Sequence, residues 1–151
     1  MSSLDAIKIA VEGLPGTAHS VRNAIPVLHE IRHALDKLAS TGEATVIDLS
    51  AIPFGPGDRE QLLEALGEGE VEASVHALGE TRVSETRYPG VWLVQHLSPH
   101  GNDLATQIEV TRLPAMLVTP EQDIADASDA LAKHLQQDTD QPTERTPQEL
   151  P

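Results

Sequence analysis

The chain contains no cysteine. Disulfide stapling, thiol catalysis, zinc–thiolate sites and direct ligation of an iron–sulfur cluster by this chain are thereby excluded. The absence fits a reducing compartment, and a cytoplasmic location is expected. Aromatic residues are nearly as scarce, with Phe54, Tyr88 and Trp92 the whole set. A core must therefore be built from Leu, Ile, Val and Ala, and each aromatic needs a reason for its position. Positive charge is short as well: 10 basic residues stand against 24 acidic ones, for a formal net charge of -14. Such a field repels phosphate backbones and anionic lipid, so neither nucleic acid nor a membrane is expected as a partner. Solubility accounts for the charge, and steering of a basic partner is its alternative use. No run of about 18 apolar residues occurs, and Met1-Ser2-Ser3-Leu4-Asp5 lacks a cationic region before an apolar stretch. Neither a membrane span nor a secretory leader is expected.

What is present suffices for one core, since 39% of the 151 residues are apolar. Residues 1–17, with Ile7, Ile9 and Val11, read as an N-terminal arm or a weak edge strand. Over residues 18–40, Val21, Ala24, Leu28, Ile31, Leu35 and Leu38 recur at helical spacing, and Gly42 follows as a stop. Pro26 moves the expected start toward Asn23 or Ala24. Residues 44–49 read as a strand. Asp58 is the expected N-cap of a short helix that carries Leu62, Leu63 and Leu66 and ends at Gly67. From Gly69 the period changes to two. Runs at 71–77, 81–88, 91–97 and 103–110, joined by short polar turns, predict a four-strand antiparallel meander. A last helix is expected from Pro120 to about Leu135, with Ile124, Ala127, Leu131 and Leu135 on one face. Residues 138–151 are Gln, Asp, Thr, Pro and Glu with almost nothing to bury, and read as a disordered acidic tail. The expected fold is α+β: one domain over residues 18–137, a mainly antiparallel sheet of about five strands, two long helices on one face and one short helix. The place of the 44–49 strand in the sheet is left open.

His29-Glu30-Ile31-Arg32-His33 matches the H-E-x-x-H pattern of zinc hydrolases, in which two His hold the metal and the Glu activates water. His29 and His33 are thus candidate ligands, and a zinc-dependent hydrolase is the alternative reading of the chain. Two features oppose it. A helical projection turns both His about 120–160° away from the apolar face centred on Leu28, Ile31 and Leu35. Ala39 stands where a third His would complete the longer metalloprotease pattern. A solvated helix face is favoured, and no metal or cofactor is expected. His19, His76, His96, His100 and His134 are scattered, and Glu64, Glu68, Glu70 and Glu72 form a charge run of the kind that usually faces solvent.

Pro53-Phe54-Gly55-Pro56-Gly57-Asp58 is harder to pass over. Two prolines and an aromatic exceed what a simple strand–helix connection needs, and a rigid loop is a reasonable recognition surface. A helix C-cap explains Gly67, but it leaves Gly69 between Glu68 and Glu70 unaccounted for. Tyr88-Pro89-Gly90-Val91-Trp92 holds two of the three aromatics, with core packing and partner docking both open for Trp92. If the chain binds a partner, the 64–72 region and the 53–58 loop are expected to form one exposed surface. The expected partner-binding residues are Pro53, Phe54, Gly55, Pro56, Gly57, Asp58, Glu68, Gly69, Glu70, Tyr88, Pro89, Gly90 and Trp92.

The strings IPFGPGDREQLLEALGEGEVEA, ETRYPGVWLVQH and IEVTRLPAML, with LHEIRHALDKL upstream, resemble the conserved region of the HupH/HyaF/HoxQ hydrogenase expression proteins over residues 23–118. The family's motif positions fall on Pro53, Gly55, Pro56, Gly57, Asp58, Leu62, Leu63, Leu66, Gly67, Glu68, Gly69 and Glu70, then on Pro89, Gly90, Val91 and Trp92. No catalytic residues are carried over. The resemblance implies a non-enzymatic, chaperone-like factor in maturation of an uptake nickel–iron hydrogenase. Its implied partners are the iron–sulfur small-subunit precursor, which carries a twin-arginine export signal, and another hydrogenase accessory protein. Better-known members are longer, which implies either a different partner or a second copy supplied by a homodimer.

Overall fold

The computed structural model describes residues 22–139 and divides the chain into two units, Met1–Arg112 and Leu113–Pro151. In the first, the helical spacing gives α1 (Ala24–Thr41), which buries Ala24, Val27, Ile31, Ala34 and Leu38. Leu28 and Leu35 flank this stripe, half-buried. Ile31 lies within both the expected and the observed face. Gly42 closes the helix at φ 75°, its N–H donating to the Leu38 carbonyl at 2.9 Å.

The five strands are β1 (Thr45–Asp48), β2 (Glu72–His76), β3 (Glu80–Glu85), β4 (Val91–Leu97) and β5 (Asp103–Val110). All neighbours are antiparallel, in the order β1-β5-β4-β3-β2. The meander is the expected one, and β1 joins it beside β5, Ile47 opposite Ile108. Leu49, expected within this strand, instead begins a 3-10 turn (Leu49–Ala51), because Asp48 accepts the Ser50 N–H at 2.8 Å and bends the chain.

Register decides what each sheet face offers. Ile47, Ile108, Val110, Val91 and Leu93 share one face and form the core with α1 and with α2 (Asp58–Leu66), whose Leu62 and Leu66 are fully buried. Toward β3 and β2 the same face carries Arg82, Ser84, Glu72, Ser74 and His76. Its β1-β5-β4 half is thus apolar and its β3-β2 half polar. On the opposite face Val83, Val94 and Trp92 are buried.

The second unit contains a 3-10 turn (Ala115–Leu117) and α3 (Glu121–Thr139). This helix runs beyond its expected end at Leu135 and takes in Asp138 and Thr139, assigned above to the tail. The 1–17 arm, His19 and the remainder of the tail lie outside the described residues.

Asp58 does not cap its own helix. Gly57, at φ 81°, occupies the N-cap position and makes no side-chain bond there. The turn directs the Asp58 carboxylate back into the loop, where Oδ2 accepts the Gly55 N–H at 3.0 Å and the Asn23 N–H at 3.1 Å. The Asn23 amide in turn donates to the Pro53 carbonyl. One buried carboxylate therefore ties the 53–57 loop to the start of α1. Arg59, in the next position, donates to Asp103 at 2.5 Å and to the Thr106 hydroxyl at 2.6 Å, joining α2 to β5. Burial raises the Asp103 pKa, but the Thr106 hydrogen bond and Arg59, by hydrogen bond and charge, outweigh it and hold the group below its ordinary 3.8.

Two predictions follow from these ties. Asp58→Ala strands two backbone donors and should lower stability by about 1–3 kcal/mol, read as a lower urea midpoint at constant slope; Asp58→Asn, keeping an acceptor oxygen, should lose less. A depressed carboxyl stabilises the fold above its unfolded pKa and ceases to do so as pH falls through its folded value. Arg59→Leu should therefore unfold at a lower temperature than the parent at pH 7, and the gap should close in acid as Asp103 is protonated below its ordinary 3.8.

Candidate docking cleft

The chain leaving α2 is fixed to the sheet by backbone bonds. Gly67 ends the helix at φ 61°, and the Arg87 N–H donates to the Leu66 carbonyl at 2.9 Å. Gly69 donates to the Glu85 carbonyl at 2.8 Å, and Glu85 donates to Val71 at 2.8 Å. A Cβ on Gly69 would lie 2.6 Å from the Thr86 carbonyl oxygen and 3.0 Å from the Glu85 Cβ. Close approach to backbone is therefore what requires glycine here, the position a helix cap left unexplained.

The β3–β4 turn meets this segment from the other side. Thr86 is buried; its N–H donates to the Val91 carbonyl at 2.9 Å, and its hydroxyl accepts the Tyr88 N–H at 3.2 Å. Gly90, at φ 88°, accepts the Thr111 N–H at 2.9 Å. Trp92 then donates its ring N–H to the Thr111 carbonyl at 3.1 Å. Thus anchored, the turn exposes Arg87, Tyr88 and Pro89.

Between them lies an open cleft of about 620 Å³ whose lining includes Leu63, Leu66, Leu93 and Gln95, with Glu64, Glu68 and Arg87. It sits where the apolar half of the sheet face gives way to the polar half. A neighbouring recess of about 340 Å³ continues past Gly69 to Glu72, Arg82 and Ser84. Half-buried Leu63 and Leu93 there lie beside exposed Glu64, Glu68 and Arg87.

The structure brings together Glu68, Gly69 and Glu70 with Thr86, Arg87 and Pro89. It keeps residues 53–58 apart from them, at the other end of α2. That nine-residue helix separates its two ends by about 13 Å. The surface expected for 53–58 and 64–72 thus has its two parts at opposite ends of α2. Phe54 packs half-buried on the core, and Pro53, Pro56 and Gly57 are exposed. Asp58 and Trp92 are buried and position their loops from within. Sequence reasoning missed Thr86, Arg87, Leu93 and Gln95. They lie within the ETRYPGVWLVQH string that resembles the family, but the unexplained glycine at 69 was the only sign that a segment packs against them.

His29, Glu30 and His33 all lie on the exposed side of α1. Among the described residues, no three His, Asp or Glu side chains gather as a metal-binding set. His96 shares a hydrogen bond with Thr81 at 2.9 Å, while His76 and His100 are exposed.

An α+β domain with this backbone-anchored, acid-rimmed cleft is the class that the fold and site define. The chain belongs to the HupH hydrogenase expression protein family, since residues 21–137 match the C-terminal conserved region of those proteins. It is 36% identical over 111 residues to the hydrogenase expression/formation protein HoxQ of Azotobacter vinelandii, a match covering 72% of this chain and 39% of that protein. To HupH of Rhizobium leguminosarum bv. viciae it is 30% identical over 128 residues, 81% of this chain and 45% of the relative. It therefore spans less than half the length of these relatives. The solved structure of hydrogenase expression protein HupH from Thiobacillus denitrificans superposes with a TM-score of 0.74 at 41% identity, covering 78% of this chain and 98% of that one.

Gly69→Ala tests the construction of the cleft. The added methyl group meets a backbone carbonyl, so about 1–3 kcal/mol of stability should be lost. Amide exchange at Gly69 and Glu85 should accelerate more than exchange in α1.

Proposed function

We propose that this domain is a non-enzymatic, chaperone-like accessory factor that acts in the cytoplasm on a protein component of a hydrogenase. Membership of a hydrogenase expression protein family supports the maturation role. The observation that carries the binding role is the meeting of residues 67–70 with the 86–90 turn at one exposed cleft. Glu68, Glu70, Tyr88 and Pro89 make contact in this reading, and Gly69, Gly90, Trp92 and Asp58 hold the contact surfaces in place. The exposed part of the 53–57 loop offers a second, separate contact.

The client we favour is the iron–sulfur small-subunit precursor of an uptake nickel–iron hydrogenase. An acidic cleft on a chain of net charge -14 suits a basic segment of such a precursor. A chain without cysteine would help a cluster protein by holding its conformation, not by donating thiolates.

Retention of the purified precursor on the immobilised full chain tests this, with and without the precursor's basic N-terminal segment. The full precursor should be retained and should elute as salt rises. Tyr88→Ala and the double variant Glu68→Lys/Glu70→Lys should each weaken retention by roughly tenfold or more. Equal retention by the variants would move the site elsewhere. No retention of either precursor form, with another accessory protein co-purifying instead, would replace this client.

A further inference from the structure

The sheet ends at β2, which pairs with β3 alone among the strands. The pairing determines which of its backbone groups are spent. Glu85 donates to the Val71 carbonyl at 2.8 Å, and Ala77 donates to the Gly79 carbonyl at 3.0 Å. Both bonds belong to the register that sets Ala73 against Val83 and Val75 against Thr81. In an antiparallel pair alternate residues bond inward, so the odd-numbered residues from 71 to 77 face β3. The N–H and C=O groups of Glu72, Ser74 and His76 therefore point out of the sheet.

Edges of this kind are normally blunted by lysine, proline or a bulge. β2 carries neither lysine nor proline, and the irregularity at residues 69–71 guards only its beginning. On one face of the edge Ala73 and Val75 lie in register with Val83 and Thr81. On the other, Glu72 and Glu80 flank Arg82 at 3.6 and 3.2 Å, so two carboxylates outweigh the one cation. Glu68 and Glu70 precede the strand. An added strand would thus meet small apolar groups on one side and excess negative charge on the other.

We propose that the β2 edge takes an extended segment of a partner protein as a sixth strand, and that this segment alternates basic with apolar residues. The inference rests on reading the domain as a protein-binding module and supplies the manner of binding. A second copy fits less well, because it would bring the same net charge of -14 and the same glutamate run to the edge. Residues opposite Glu72, Ser74 and His76 would share their face, so the basic residues of an antiparallel guest donate the inter-strand N–H groups.

A fluorescent octapeptide alternating arginine and valine is the probe, titrated against the full chain. Proline at position 74 removes an N–H that β3 does not use, a place where edge strands tolerate it. Ser74→Pro should therefore weaken binding by roughly tenfold or more, with Ser74→Ala within about twofold of the parent. Methylating the arginine N–H groups of the peptide should abolish binding, and methylating the valine N–H groups should not. This arm stands even if the proline variant fails to fold. On binding, amide exchange should slow at Glu72, Ser74 and His76. The proposal is overturned by an octapeptide that does not bind, by equal binding to Ser74→Pro, or by indifference to which N–H groups are methylated. It is overturned equally if those three amides are already protected in the free chain, whether by its own residues or, at rising concentration, by a second copy. Precursor retained at parental strength by Ser74→Pro sinks strand addition alone, whereas no precursor retained by the parent sinks the small-subunit client alone.

Discussion

The approach of Gly69 to the Glu85–Thr86 backbone governs the rest of the site. A side chain there would collide with a carbonyl oxygen at 2.6 Å, so the segment leaving α2 could not lie against β3. With glycine in place, Leu66, Gly69 and Val71 all bond to the 85–87 backbone. The helix is held at its other end by the Asp58 carboxylate, which reaches the start of α1. Pinned at both ends, α2 joins α1 over the apolar half of one sheet face and stops where the polar half begins. The cleft is the step left at that boundary.

Charge has a similar economy of placement. Arg59 and Arg82 are both engaged with carboxylates of the fold, at Asp103 and at Glu72 and Glu80. Glu64, Glu68 and Glu70 stay exposed near the cleft and the strand that follows it. On the proposed reading, a chain without cysteine acts on its client through shape and charge. On that same reading the cleft and the open strand edge are complementary devices, one for a client's side chains and the other for its backbone.

Much of the fold was legible because its signals are local. The three-to-four-residue spacing of α1, the alternation from residue 71 onward and the stop at Gly42 each depend on near neighbours. The position of β1 beside β5 was not legible, since the pairing of Ile47 with Ile108 joins distant residues by packing alone. Asp58 was misread for the same reason. It has the composition of an N-cap, but its carboxylate accepts from Gly55 and from Asn23, the latter 35 residues away. Of the site, the unusual glycine at 69 and the Tyr88-Pro89-Gly90 turn stood out in the sequence. That they meet, and that Leu93 and Gln95 lie beneath, depends on hairpin register. The 53–58 loop stood out equally, yet it lies at the far end of α2.

The most direct measurement is amide exchange by mass spectrometry on the full chain, alone and saturated with the small-subunit precursor. Slower exchange across residues 67–70 and 86–90, with the exposed face of α1 around His29 and His33 unchanged, is the predicted result. Protection centred on α1, or none at the cleft in a complex that demonstrably forms, would contradict the reading of this cleft as the docking site.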